Sequence, residues 1–454
     1  MMMAATTTIL FWTAIVLMIL SQTVASFVIH HNVQQLSCRG HSLDHFLSGI
    51  RGSSYPSRSS QSSSSSVRLF SSSTQPQSTI ETEMFEDFQR YRNFLSVPVC
   101  IELYKNDVIG KDSNGGVFGW GGTVHFLEVT WFHKGDRNGR QEFLEGPRIK
   151  GSNYFDIMDI AMNGDVFPSE NPNNLYTMFP PVQLLSSCLD KMGIPSTRQV
   201  PHDDDEITGT VIPSTTIVIY GRSGTLFAPR IWYMLKKYYD NNPYVHIRIM
   251  DGPFEEWIEL GGPIDTNSLS GEPQTTKEIW ARDLVAEYLE ESSYGQQEYP
   301  MEKVAQDNLV EKTDVLKIVE ESDDPLSEEE RSLLIIDTRG SSYKKKGHIP
   351  SAIHVPYSSL TMVDNPLRLR PREELISILK DILGFDIANT DDDGGDSDDV
   401  DTTAKRILLT CGSAVSVCHM ALVLDEFRYP YEPMIYDGSW NEWGSDPSTP
   451  KAGV

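Results

Sequence analysis

At 454 residues the chain can hold two or three domains, and 39% apolar with 22% charged residues fits a globular protein rather than a disordered or coiled one. Its 64 acidic against 38 basic residues leave a net charge of −26, which repels phosphate backbones and argues against nucleic-acid binding. Five cysteines at irregular spacing (Cys38, Cys100, Cys188, Cys411 and Cys418) form no C-x-x-C pair and no zinc pattern, so at least one free thiol is expected and a disulfide scaffold or metal site is not.

Residues 9–20 form an apolar run, too short for a comfortable membrane span and of the length of a signal-peptide core. With Thr23-Val24-Ala25 as a cleavage site, residues 1–26 read as a signal peptide; an uncleaved anchor is the competing reading. Residues 27–94 are Ser-rich, and between 27 and 78 there is one acidic residue, Asp44, against arginines at 39, 51, 58 and 68. That composition is that of a transit or disordered segment. A signal peptide followed by such a stretch, with Phe27 at the junction, resembles the two-part plastid presequence of algae with secondary plastids. The resemblance implies a plastid destination, with no stable membrane association after processing; a mitochondrial or secreted protein is the alternative. The chain has no N-x-S/T sequon, which fits passage through the secretory route rather than residence in it.

An internal repeat follows. In one half a strand at T-I-V-I-Y (216–220) leads through a short loop into a helix, then a strand ending at Met250-Asp251-Gly252, with Trp257 beyond. In the other, R-I-L-L-T (406–410) leads through a loop and a helix to a strand ending at Tyr436-Asp437-Gly438, with Trp440 and Trp443 beyond. Each unit is preceded by a strand with an acid near its end, Glu128 and Asp337. The pattern predicts an α/β fold of two similar domains, each a mainly parallel sheet flanked by helices, over 95–262 and 301–454, with 263–300 as linker. The acidic insertion 390–403 lacks the spacing and closing Glu of a calcium loop and reads as solvated.

Cys411 falls directly after a buried-type strand, followed by the small-residue run Gly412-Ser413-Ala414-Val415-Ser416 and a helix whose apolar face is Val417, Met420, Ala421, Leu424 and Phe427. A thiol there meets free backbone N–H groups and the positive end of a helix dipole, which favour the thiolate, a soft nucleophile suited to attack on sulfur, and can hold a persulfide anion. Position alone leaves a buried, inert structural cysteine equally open. Cys418, Cys188 and Cys100 read as packing residues.

The run from Cys411 to Cys418, together with Tyr436-Asp-Gly-Ser-Trp-Asn-Glu-Trp-Gly444 and the following D-P-S-T-P, resembles the end of the thiosulfate and 3-mercaptopyruvate sulfurtransferases, tandem-domain members of the rhodanese family. Asp337-Thr-Arg339 and Gly347-His-Ile-Pro350 are similar to the opening of a rhodanese domain, and W-F at 131, Y-F-D-I at 154–157 and A-P-R-I-W at 228–232 to the family's inactive domain. The resemblance implies two rhodanese-like domains, Cys411 as the sulfur-accepting nucleophile, and a cradle of N–H donors from Gly412, Ser413, Ala414, Val415, Ser416 and Val417. It implies a dead first domain, since Gly221 stands where the cysteine would be. It implies no cofactor and two kinds of partner: a small anionic sulfur donor, and a thiol such as thioredoxin, or cyanide, as acceptor.

Two departures bear on the donor. The loop before Gly347 is short and lacks the two arginines that the mercaptopyruvate enzymes carry for the substrate carboxylate; Lys344, Lys345 and Lys346 stand there, with Arg339 beside them and Arg230 or Arg148 of the first half as further anion partners. A solvated surface is the alternative for the lysines. Ala414 takes a place where the family loop has glycine, which tests whether the backbone there needs a positive φ. A cysteine phosphatase would need an arginine at position 417, which is Val417. A non-catalytic binding module is the remaining rival.

Overall fold

The computed structural model describes residues 91–112, 123–132, 135–162, 164, 167–196, 214–239, 242–269, 302–322, 333–363, 365–384 and 404–453. All fall within one compact unit, 75–454. The apolar leader, the Ser-rich segment up to residue 90, most of the polar linker and the acidic insertion lie outside the described residues, whereas 91–94, the last residues given to that segment, are described and lead into the first strand.

Twelve strands are described: β1 Phe94–Ser96, β2 Thr123–Glu128, β3 Arg148–Ile149, β4 Asn153–Tyr154, β5 Thr215–Tyr220, β6 Val245–Asp251, β7 Ile264–Asp265, β8 Leu309–Val310, β9 Leu333–Asp337, β10 Ile353–His354, β11 Arg406–Thr410 and β12 Met434–Tyr436. They form two five-stranded sheets, β1-β6-β5-β2-β4 and β10-β9-β11-β12-β8. Every pairing in both is parallel. Reading the second sheet from its β8 edge gives the order of the first, so the repeat seen in the sequence is a repeat of topology.

The strands are apolar on both faces because helices cover both. In the first sheet Phe126, Val218 and Met250 face one core, with the helices Val97–Asp112 and Phe254–Glu259 supplying Val97, Cys100, Phe254 and Trp257. Their neighbours Leu127, Ile217, Ile219 and Ile249 face the other way, as the two-residue period requires. The second sheet repeats this: Ile335, Leu408 and Tyr436 on one face, Ile336, Ile407, Leu409 and Ile435 on the other. The inner faces of both sheets belong to a single core. At its centre the helix Ala228–Tyr239 packs on the helix Val417–Glu426.

Three local features differ from the sequence reading. The helix Val417–Glu426 is buried on nearly every side, not along one stripe, because the other half covers what its own sheet does not. The polar stretch after residue 262 opens as β7, which pairs antiparallel with β3 and is tied to it by Arg148 and Asp265 at 2.8 Å. The lysine loop is a short helix, Ser342–Lys346. Among the described residues, no helix is long and apolar enough to cross a membrane.

Candidate active site

Cys411 is the first residue beyond β11 and is 2% exposed. The chain then turns through Gly412-Ser413-Ala414-Val415, and Ser416 precedes the first turn of the helix Val417–Glu426. Ala414 lies at φ 53°, a left-handed conformation that costs a residue with a Cβ about 1 kcal/mol. Such a turn persists only if its surroundings hold it.

The segment after β12 does much of the holding. The Oγ of Ser439 accepts the N–H of Cys411 and of Ala414, both at 3.2 Å, while its hydroxyl donates to the Tyr436 carbonyl at 2.8 Å. Trp440 N–H reaches the Cys411 carbonyl at 3.0 Å and Asn441 N–H the Gly412 carbonyl at 2.9 Å. From the end of β9, the Thr338 hydroxyl meets that of Ser416 at 2.9 Å. Within the expected cradle the Ala414 N–H is therefore occupied, whereas those of Gly412, Ser413, Val415, Ser416 and Val417 donate to no described group. Unengaged donors next to a thiol, at the start of a ten-residue helix, are of the kind that favour an anion.

The first half closes the loop from the other side. Thr177 donates its hydroxyl to the Ser413 carbonyl at 2.6 Å. Arg230, fully buried, donates to the Ala414 carbonyl at 3.2 Å and the Thr177 carbonyl at 2.8 Å, and lies 3.4 Å over the Phe179 ring. Asp437 stands 3.7 Å from the Arg230 guanidinium and accepts the Phe179 N–H at 2.9 Å. Arg230, expected as an anion partner, thus binds one carbonyl of the loop and that of Thr177.

Arg339 is 5% exposed and pairs in a fork with Asp337 at 2.6 Å, with a further bond to the Gly347 carbonyl at 2.8 Å. Its Nη1 alone lacks a partner. Arg148 is engaged by Asp265 and by the Phe143 and Asn267 carbonyls. Lys344, Lys345 and Lys346 are exposed on their short helix, above Tyr343, which stacks between His348 and His354 at 4.1 and 4.2 Å.

Burial pushes the Cys418 thiol up to about 12 and also raises those of Cys100 and Cys188 well above the ordinary thiol value, so all three stay protonated. His419, fully buried beside the Tyr357 ring, is held down to about 4 by desolvation and is neutral. Among the described residues no group of three or more His, Cys, Asp or Glu is placed to hold a metal ion.

In the first half Gly221 follows β5 as Cys411 follows β11. A Cβ on Gly221 would meet the Thr225 methyl at 2.4 Å, so the space for a nucleophile's side chain is filled. Arg222, next in the loop, is spent on Glu128 at 2.7 Å. Ser439 and Thr177 carried no assigned role in the sequence: Ser439 lay inside the quoted Asp-Gly-Ser-Trp run, and Thr177 sits in irregular chain with no pattern to mark it.

Residues 319–446 match the rhodanese-like domain family. The second half of the chain thus carries a rhodanese-like domain. Among curated relatives, the thiosulfate sulfurtransferase of Rattus norvegicus is 22% identical over 324 residues, covering 71% of this chain and 86% of that protein. The 3-mercaptopyruvate sulfurtransferase of Escherichia coli is 25% identical over 328 residues, covering 69% and 86%. The crystal structure of the Tum1 protein from Saccharomyces cerevisiae superposes with a TM-score of 0.51 at 18% identity, over 80% of this chain and 98% of that one. The rhodanese-like fold thus extends over both halves.

Proposed function

We propose that the protein is a sulfurtransferase that moves a sulfane sulfur from thiosulfate or 3-mercaptopyruvate, through a persulfide on Cys411, to a thiol such as thioredoxin or to cyanide. The observation that carries the reading is the position of Cys411: a thiol at a strand end, followed directly by a loop of unengaged N–H groups at the start of a helix. The thiolate attacks the outer sulfur of the donor. Sulfite leaves from thiosulfate, or the enolate of pyruvate leaves from mercaptopyruvate and takes up a proton, and Cys411 keeps the sulfur as a persulfide. The acceptor then attacks the terminal sulfur and the Cys411 thiolate departs. The N–H groups of Gly412, Ser413, Val415 and Ser416 stabilise the anion at each stage. Lys344, Lys345 and Lys346 add long-range attraction for an anionic donor, on the order of 1 kcal/mol at moderate salt because they are exposed.

Cyanolysis with each donor, with mass spectrometry of the Cys411 peptide, tests this. Wild-type protein should gain one sulfur on Cys411 and turn over. Cys411→Ser should fall to background, and Cys418→Ser should lose little, its thiol being protonated and buried. Replacing the three lysines with Gln should flatten the salt dependence of kcat/KM. Substantial turnover in Cys411→Ser would remove the assignment, and no turnover with either donor would favour a non-catalytic binding module.

A further inference from the structure

The loop that holds Cys411 belongs to the second half, but two of its carbonyls are gripped by the first: Ser413 by the Thr177 hydroxyl and Ala414 by Arg230. A trans peptide is planar, with its C=O and N–H directed oppositely, so fixing the carbonyl fixes the N–H. The peptide joining Ser413 to Ala414 is held at both ends, its carbonyl on Thr177 and its N–H on Ser439. The peptide joining Ala414 to Val415 is held only at its carbonyl, by Arg230 at 3.2 Å with the Cys418 thiol at 3.7 Å, and its N–H, that of Val415, meets no described acceptor. Thr177 and Arg230 are themselves linked at 2.8 Å and both are buried, so the grip is rigid. Left-handed Ala414, between the two gripped peptides, would otherwise relax.

We infer that Thr177 and Arg230 are positioning residues: the half without a nucleophile fixes the Cys411 loop, Arg230 orienting the peptide that carries the free Val415 N–H and Thr177 clamping the Ser413–Ala414 peptide beside it, so that the loop's free N–H groups are set for the anion that forms on that sulfur. The inference rests on Cys411 being the reacting thiol, and it gives the first half a task beyond walling a cleft. Thr177 and Arg230 touch only the loop backbone in this role.

The decisive measurement is the pH dependence of Cys411 alkylation by iodoacetamide in the full chain, read by mass spectrometry of the Cys411 peptide. It needs no sulfur donor, so it can fail while Cys411 remains essential for turnover, and hold if turnover persists without Cys411. Thr177→Val is nearly isosteric and removes only the hydroxyl; its midpoint should move up by roughly one pH unit, with alkylation below it slowed about tenfold. Thr177→Ser keeps the donor and should retain the wild-type profile. Arg230→Lys keeps the charge but lacks the planar fork that spans the two carbonyls, and should shift in the same direction as Thr177→Val. A wild-type profile in Thr177→Val overturns the inference. So does an equal shift in Thr177→Ser, which would trace the effect to packing. A wild-type profile in Arg230→Lys would remove Arg230 from the role.

Discussion

Ala414 is completely buried at a backbone angle of φ 53°. A left-handed residue without a glycine's freedom must be small, and a β-branched one there would combine a disfavoured backbone with a stiff χ1. Ala414→Val should therefore destabilise the fold by on the order of 2–3 kcal/mol, whereas Ala414→Gly should change it by about 1 kcal/mol or less, relief of strain being offset by the freer unfolded chain. Urea denaturation of the two variants checks this; a Val variant as stable as wild type would show that the loop is not held as described. The sequence raised the question at Ala414, because the loop around Cys411 is local and its residue types are informative. It was silent on Ser439, which reaches Cys411 from 28 positions away. Periodicity and loop composition report neighbours along the chain, and the grip on this loop is made by residues distant in it.

The helix Val417–Glu426 shows the same limit at the level of an element. Its apolar stripe was legible, yet Cys418, His419 and Leu422 are buried too, because a second body lies against the rest of its surface. At its end Glu426 accepts the N–H groups of Arg92 and Asn93 at 2.8 Å each. Burial raises this carboxyl to about 7, against the pull of those bonds and of the Arg92 guanidinium, with nearby Asp425 adding to the rise. Since the folded group binds its proton more tightly than the unfolded one, its contribution is fully present below about 4.5 and is lost as pH climbs through 7, on the order of 3 kcal/mol. His419 runs the other way: held down to about 4, it costs stability as pH falls from 6.5 toward 4. Between these limits the two oppose each other. Glu426→Gln should uncover the histidine, so that the melting temperature rises with pH from 4.5 to 6.5 more steeply than in wild type. An unchanged slope would mean that Glu426 titrates normally in the fold.

Across the whole molecule the tandem architecture was readable: strand, loop, helix and strand recur, and both sheets carry the same strand order. The way the halves meet was not. Their inner faces merge into one apolar core, with the helices Ala228–Tyr239 and Val417–Glu426 at its centre. Around that core, Arg368 pairs with Asp251 at 3.1 Å, and Lys236 and Arg92 both reach Asp425. Contacts of this kind depend on side-chain complementarity between surfaces far apart in the chain, and no spacing rule exposes them. With one core, heat should unfold residues 91–453 in a single calorimetric transition, its van't Hoff and calorimetric enthalpies agreeing; two resolved transitions would mean that the halves are separable.

The merged core also has a consequence for how the chain is made. The helix Ala228–Tyr239 leaves the ribosome about 180 residues ahead of the helix that covers it, a wait of roughly 10–40 s at ordinary rates of synthesis. For that interval the surface that covers this helix has not been made, and Trp232 and Tyr233, buried in the finished protein, lack it. A nascent chain stalled near residue 400 should therefore be bound by chaperones that a completed chain no longer engages: what serves the finished protein as shared interior is, during translation, its most aggregation-prone surface.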